Sequence, residues 1–331
     1  MKKKLLLLLG AMAVIAMIGA MIISISNKKT ATQELAAEDK LQIVTTIYPV
    51  YMIGLNIADG VDNIEVKSLT KLNMGCLHDY QLTTEDMKII SKADILIING
   101  GGMEGFIDDV KINYPELTII DASEGVTMLP NTSEGFEIET DESESEHGKY
   151  NAHVWLNPKL YVSQIENVRD GILTFIKKNN RNDDTLLTAV DANAQTYIDK
   201  VNTLDSEIEA SISDFSVLAK QADTNQVVIF HDSFAYLADR IGLNVAFTVP
   251  LDSDTALSAA DIAKIIDEVK NGSIKYLFTE QQYSDSIAKQ IEAETEAKMY
   301  IIDSAVTGDG SPDSYLNSMR NNLLVLQEAL Q

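Results

Sequence analysis

The chain has 331 residues, a formal net charge of −24 at pH 7, one cysteine and four histidines. A surface of that sign repels polyanions, which excludes nucleic acid as a partner. The single cysteine, Cys76, excludes an internal disulfide, so stability has to come from apolar cores.

The first predicted element is a leader. Lys2, Lys3 and Lys4 precede an apolar run over residues 5–23, the pattern of an export signal and also long enough to span a bilayer. Ser24, Ile25 and Ser26 offer a small-x-small cleavage site. No cysteine follows the run at once, which excludes a lipid-modified N-terminal cysteine. Residues 1–29 are therefore read as a signal peptide or membrane anchor. The lysines favour a cytoplasmic N-terminus. The remainder is expected to be extracytoplasmic, either secreted or tethered to the outer face of the cell membrane. About 300 residues remain, enough for two ordinary domains.

A β/α rhythm then begins. Strands are predicted over 41–47, 64–69, 93–98 and 117–120, with helical patterns over 50–58, 84–92 and 103–112 between them. Short buried strands alternating with helices imply a mostly parallel sheet. Residues 131–150 break the pattern with seven acidic side chains, serines, Gly135 and Gly148, and read as an acidic mobile loop. A helix starts near Lys159. Residues 183–213 form a longer helical pattern with Leu187, Val190, Ala194, Tyr197, Val201, Leu204 and Ile208 on one face. At 1.5 Å per residue it spans roughly 45 Å, more than one small domain needs. Strands over 226–230, 244–249, 276–279 and 299–302 follow, with helices between them, one opened by a capping-box-like Ser258-Ala259-Ala260-Asp261. An amphipathic helix over 312–330 closes the chain. The expected organisation is α/β: an N-terminal lobe over 41–182, a linker helix over 183–213 and a C-terminal lobe over 214–331. Each lobe is a mostly parallel sheet flanked by helices.

Three of the four histidines stand in short motifs far apart in sequence: Cys76-Leu77-His78-Asp79-Tyr80-Gln81, Asn151-Ala152-His153-Val154-Trp155-Leu156-Asn157-Pro158, and Phe230-His231-Asp232-Ser233-Phe234-Ala235-Tyr236-Leu237. Imidazole is the commonest protein ligand for zinc. Ligands of parallel α/β sheets sit beyond the C-terminal strand ends, and His231, Glu280 and Asp303 each follow a predicted strand. A lone histidine is more often a packed polar residue than a ligand; three in turn-like positions beside strand ends reverse that preference. Asp303 alone could merely cap a turn. Glu280 could be an alternative ligand, stand behind a ligand, or be simply solvated. His147, among acids, reads as solvated. Cys76 could give zinc a thiolate, but a buried inert cysteine is the plainer reading.

Together these motifs resemble the solute-binding proteins of bacterial zinc and manganese ABC importers, over nearly all of the chain past the leader. The family's proline-His-x-Tyr-Glu resembles Leu77-His78-Asp79-Tyr80-Gln81. Its His-x-Trp-Leu-Asp-Pro resembles His153-Val154-Trp155-Leu156-Asn157-Pro158. Its third histidine matches His231, its strand-end glutamate Glu280 and its last carboxylate ligand Asp303. Leu77, Gln81 and Asn157 depart from the family pattern. The acidic loop falls where zinc-specific members carry a histidine-rich one. The resemblance implies two α/β lobes joined by one long helix. The metal ligands it implies are His78, His153, His231 and Asp303, and the ion passes to a membrane permease. Three imidazoles and one carboxylate favour zinc (Zn2+), with manganese (Mn2+) as the alternative. A monomer is expected. A zinc hydrolase would need an open coordination position and a base, a role Glu280 could take, but Asp303 would close the sphere and there is no His-Glu-x-x-His helix. A surface adhesin is compatible with a tethered chain, though no partner-binding segment is recognisable.

Overall fold

The computed structural model describes residues 40–75, 77, 80–131, 149–179, 183–221, 225–249, 257–280 and 286–329, with backbone alone over 213–221. The leader, Cys76, His78, and most of the acidic loop with His147 lie outside the described residues. Among the described residues, no helix is long and apolar enough to cross a membrane.

Two parallel four-stranded sheets carry the fold. The first holds β1 (Leu41–Thr45), β2 (Ile64–Ser68), β3 (Ile95–Ile98) and β4 (Thr118–Asp121) in the order β2-β1-β3-β4. The second holds β5 (Gln226–Ile229), β6 (Asn244–Thr248), β7 (Tyr276–Glu280) and β8 (Lys298–Ile302) in the order β6-β5-β7-β8. The two sheets are wound alike, so the likeness in plan between the halves of the sequence is a likeness of topology. In each, the chain reverses direction across the sheet between its two central strands, β1 and β3 in one and β5 and β7 in the other. Such a switch point leaves a crevice at the strand ends.

The sequence dictates these strands through burial. β3 reads Ile-Leu-Ile-Ile and β7 Tyr-Leu-Phe-Thr-Glu, and both are buried along their whole length. A parallel strand between two helical layers needs apolar side chains on both faces. Each fully buried Ile or Leu contributes about 1.5–3 kcal/mol relative to exposure. In the second lobe Val228, Phe230, Leu277, Ile265, Val269 and Ile291 belong to one core cluster.

The helices are α1 (Tyr48–Ile57), α2 (Thr84–Ile90), α3 (Ile107–Asn113), α4 (Pro158–Lys178), α5 (Asp184–Gln221), α6 (Ala235–Ile241), α7 (Ala259–Asn271), α8 (Ser286–Glu294) and α9 (Ser314–Ala329). The predicted capping box of α7 is present: Ser258 Oγ accepts from the Asp261 N–H while Asp261 accepts from the Ser258 N–H. Thr83 and Asp86 form a second one on α2.

The long helix is longer than its sequence pattern. α5 has 38 residues, about 57 Å at 1.5 Å each, and continues past residue 213 to Gln221. Asp183 caps it by accepting the Thr185 N–H at 2.8 Å. Helices α4, α1 and α9 all pack on it, so it touches elements of both lobes. Asn193 donates to the carbonyls of Ile57 and Asp59 on the first-lobe side. On the other side, Arg240 holds Asp205 and Glu209, and Arg320 holds Glu207.

Tyrosines fill the seam beside α5. Tyr161 donates to the Pro49 carbonyl at 2.8 Å and lies 3.3 Å from Tyr197 Oη. Tyr48 donates to Ser314 Oγ at 2.8 Å. The Tyr161 and Tyr315 rings stand 4.1 Å apart. Burial pushes both phenols well above the ordinary value. They act as fixed hydroxyl donors, which a buried ring requires.

The described parts of residues 42–61 and 66–331 form one compact unit. Lys40, Leu41 and Asp62–Glu65 form a second, small one, closed by the Leu41 N–H on the Asn63 carbonyl at 2.9 Å.

Candidate metal centre

His153 is set in place by a stem and a cap. Pro130 and Tyr150 pair as an isolated antiparallel bridge, and the Asn151 N–H donates to the Leu129 carbonyl at 2.9 Å. Asn151 Oδ1 then accepts the His153 backbone N–H at 3.0 Å and stands 2.9 Å from His153 Nδ1. The amide orientation is fixed by its other end, since Asn151 Nδ2 donates to the Asp232 carbonyl at 2.7 Å. An amide oxygen only accepts, so Nδ1 carries the proton and Nε2 keeps its lone pair for a metal.

Beyond His153 the chain makes a 3-10 turn, Val154–Leu156, and enters α4 through Asn157 and Pro158. Asn157 Oδ1 accepts the Lys159 N–H at 3.1 Å, so the residue that departs from the family's aspartate is a competent N-cap. Trp155 is fully buried, and its indole N–H donates to the Ser304 carbonyl at 2.8 Å.

His231 sits one residue past the end of the β5 ladder, which the Phe230 N–H extends onto the Phe278 carbonyl. Its backbone is extended, and the ring is fully buried. Nδ1 lies 2.5 Å from Glu280 Oε1, at the end of the neighbouring strand β7. Ser233 Oγ donates to the same oxygen at 2.7 Å. Burial pushes the Glu280 carboxyl up, but the His231 charge and hydrogen bonds from His231, Ser304 and Ser233 outweigh it and hold it below the ordinary value. An ionised Glu280 only accepts, so Nδ1 of His231 carries a proton directed at it, and Nε2 is the nitrogen whose lone pair suits a metal. A carboxylate behind a metal-binding histidine fixes its tautomer and raises its basicity.

The structure brings His153 and His231 together: their ring centroids are 4.8 Å apart at 79°. Among the described residues, one group of three His, Cys, Asp or Glu side chains offers ligand atoms all within 4.8 Å of one another: His153, His231 and Asp232. Asp303 is outside that group. It follows β8, where its Oδ1 accepts the Ala305 N–H at 2.8 Å, its own N–H donates to Asn322 Oδ1, and its carbonyl accepts from Asn322 Nδ2.

Two contributors are not evident from sequence reasoning. Asp232 is visible only as the neighbour of a histidine at a strand exit. Glu104 lies past the three glycines that end β3. It is buried and accepts from Thr46 Oγ1 at 2.6 Å and from the N–H groups of Asn99 and Gly100 at 2.7 and 3.0 Å. Asn99 in turn donates to the Ala152 carbonyl at 2.9 Å, one residue before His153. Burial, partly opposed by those three hydrogen bonds, pushes the Glu104 carboxyl up to about 7. Gly100 is required there: its φ is +82°, and a Cβ would meet Asp121 Oδ1 at 1.9 Å.

Residues 43–329 match the family model described as zinc-uptake complex component A, periplasmic. The chain is 29% identical to the zinc-binding protein AdcA of Streptococcus pyogenes serotype M3, over 99% of this chain and 61% of that protein. It thus spans about three-fifths of the length of that relative. It is 26% identical to the high-affinity zinc uptake system protein ZnuA of Bacillus subtilis (strain 168), over 96% of each. Among solved structures, the Zn(II)-bound ZnuA-like domain of Streptococcus pneumoniae AdcA superposes with a TM-score of 0.68 at 25% identity, covering 88% of this chain and 99% of that one. FpvC of Pseudomonas aeruginosa in complex with Mn2+ superposes at 0.69 and 22% identity, covering 88% and 98%, a likeness of fold.

Proposed function

The chain belongs to the zinc-uptake complex component A family, and from that premise we propose that it captures zinc outside the cytoplasm and delivers it to the permease of an ABC importer. The observation that carries the reading is the meeting of His153 and His231, buried, with ring centroids 4.8 Å apart and each held by an acceptor on Nδ1. Two preset Nε2 lone pairs form the start of a nitrogen-rich site, the donor set zinc favours.

The ligand set we assign is His78, His153, His231 and Asp303, with Glu280 behind His231. The first lobe ends at residue 182 and the second begins past the end of α5 at Gln221. The protein works as a monomer, and residues 1–29 export it or tether it to the outer face of the membrane.

A zinc hydrolase is disfavoured by the geometry of Glu280. Its Oε1 accepts from both His231 and Ser233, so it serves to orient a ligand and not to activate water.

The test is calorimetric titration of metal-free protein with zinc, then with manganese in competition. One tight zinc site is the expected result. A stoichiometry near zero, or a preference for manganese, overturns the reading.

A further inference from the structure

The geometry points to Asp232 as a further oxygen donor to the ion held by His153 and His231, an inference that rests on the zinc-carrier reading. Asp232 opens the 3-10 turn Asp232–Phe234 immediately after His231. Its position is fixed from the other lobe, because Asn151 Nδ2 grips its carbonyl. Its Oδ1 lies 3.6 Å from His231 Nε2, the nitrogen on the far side of the ring from the Nδ1 that meets Glu280. That is longer than a hydrogen bond and close to the roughly 3.4 Å that separates two donors on a tetrahedral zinc with bonds of about 2.0–2.1 Å. The same oxygen lies 3.4 Å from His153 Nδ1, the protonated edge of that ring, so its approach to the ion is from beside His231.

The side chain is mostly buried, at 11% exposure, which keeps it beside the imidazoles. Asp303, by contrast, turns one oxygen to the Ala305 N–H and lies outside the converging group. Asp232 would be the one that moves with His231, because the two are adjacent in the chain. Its negative charge also offsets the divalent ion in a buried site, where an uncompensated charge is costly.

The test replaces Asp232 by a donor with its own optical signature. In a Cys76→Ala background, Asp232→Cys protein is loaded with cobalt. A thiolate-to-cobalt charge-transfer band in the near ultraviolet, absent from the Cys76→Ala parent, is expected. Cobalt bound with its visible bands but without the thiolate band overturns the inference. Asp232→Asn, nearly isosteric, is the second arm. Its zinc affinity by chelator competition should fall about tenfold or more, and its visible cobalt bands should shift. Unchanged affinity and unchanged bands overturn the inference as well. If the parent itself takes up neither zinc nor cobalt, the carrier reading fails, and this proposal with it. If the parent binds normally and the Asp232 variants match it in affinity and cobalt bands, the carrier reading stands and Asp232 is dismissed.

Discussion

The indole N–H of Trp155 donates to the carbonyl of Ser304 at 2.8 Å, and this one bond joins the turn that carries His153 to the strand exit that carries Asp303. Tyr315 adds a second link by donating to the Trp155 carbonyl at 2.7 Å. The first-lobe histidine and the last carboxylate of the second lobe are therefore referenced to a common buried scaffold. A buried indole without an acceptor would cost about 1–3 kcal/mol, so this bond also selects one arrangement of the two turns.

His231→Glu should change selectivity and not merely weaken binding. It exchanges a borderline nitrogen donor for a hard oxygen. Zinc affinity should fall while manganese binding is kept or improves. His231→Ala should weaken both metals, and the zinc-dependent rise in Tm should shrink with the affinity. Equal relative affinities across both variants would mean that His231 only packs behind the strand.

Glu280→Gln keeps an oxygen that can accept from His231 and Ser233 but removes the charge. The expected loss is about 10–100-fold in zinc affinity with one-site stoichiometry retained. Chelator competition measures it. Retention of full affinity would show that the carboxylate charge does not support the ligand.

Deleting residues 132–148 should leave high-affinity zinc binding nearly unchanged. The segment's acidic composition does not favour a packed core, and its one histidine cannot build a site alone. The ends are already paired, Asn131 N–H to the Lys149 carbonyl and Pro130 to Tyr150, so a short link closes the gap. A loss of binding by orders of magnitude would make the segment part of the site.

Glu104 predicts a pH dependence of stability. Its folded pKa, about 7, lies above the ordinary 4.5. The folded state therefore holds the proton more tightly than the unfolded chain. The contribution is fully present below about pH 4.5 and is lost as pH rises through about 7. The difference amounts to roughly 3 kcal/mol as an order of magnitude. Glu104→Gln should be less stable overall, because its NH2 faces an N–H donor. It should also lose that slope in denaturant unfolding between about pH 4.5 and 7. A slope equal to wild type would assign the dependence to other groups.

Much of the fold is legible in the sequence because it rests on local patterns. The apolar run of β3 and the Ser258 capping box declare themselves within a few residues. The one long helix outruns its sequence pattern, since the apolar stripe ending at Ile208 gives no signal for its extension to Gln221. The site is legible only in part. His153 and His231 stand out because histidines are rare here and sit at strand exits. The Asn151 grip on Asp232 and the Glu104 bonds to Thr46 and Asn99 connect residues 81, 58 and 5 positions apart, and no periodicity announces them.

The tyrosine-filled seam along α5 bears on the return half of the proposed carrier cycle. A receptor that spends most of its time in a binding-incompetent shape has its apparent affinity cut by the competent fraction. Asn193, Arg240 and Arg320 fix α5 to both sides, Tyr48, Tyr161 and Tyr315 are bonded along the seam, and the His153 and His231 rings stand edge to face with centroids 4.8 Å apart. On the proposed carrier reading, a seam bonded in this way leaves little lobe movement for the ion's binding free energy to drive. On the same reading, the ion is expected to leave slowly unless a partner strains the turns around Trp155 and His231.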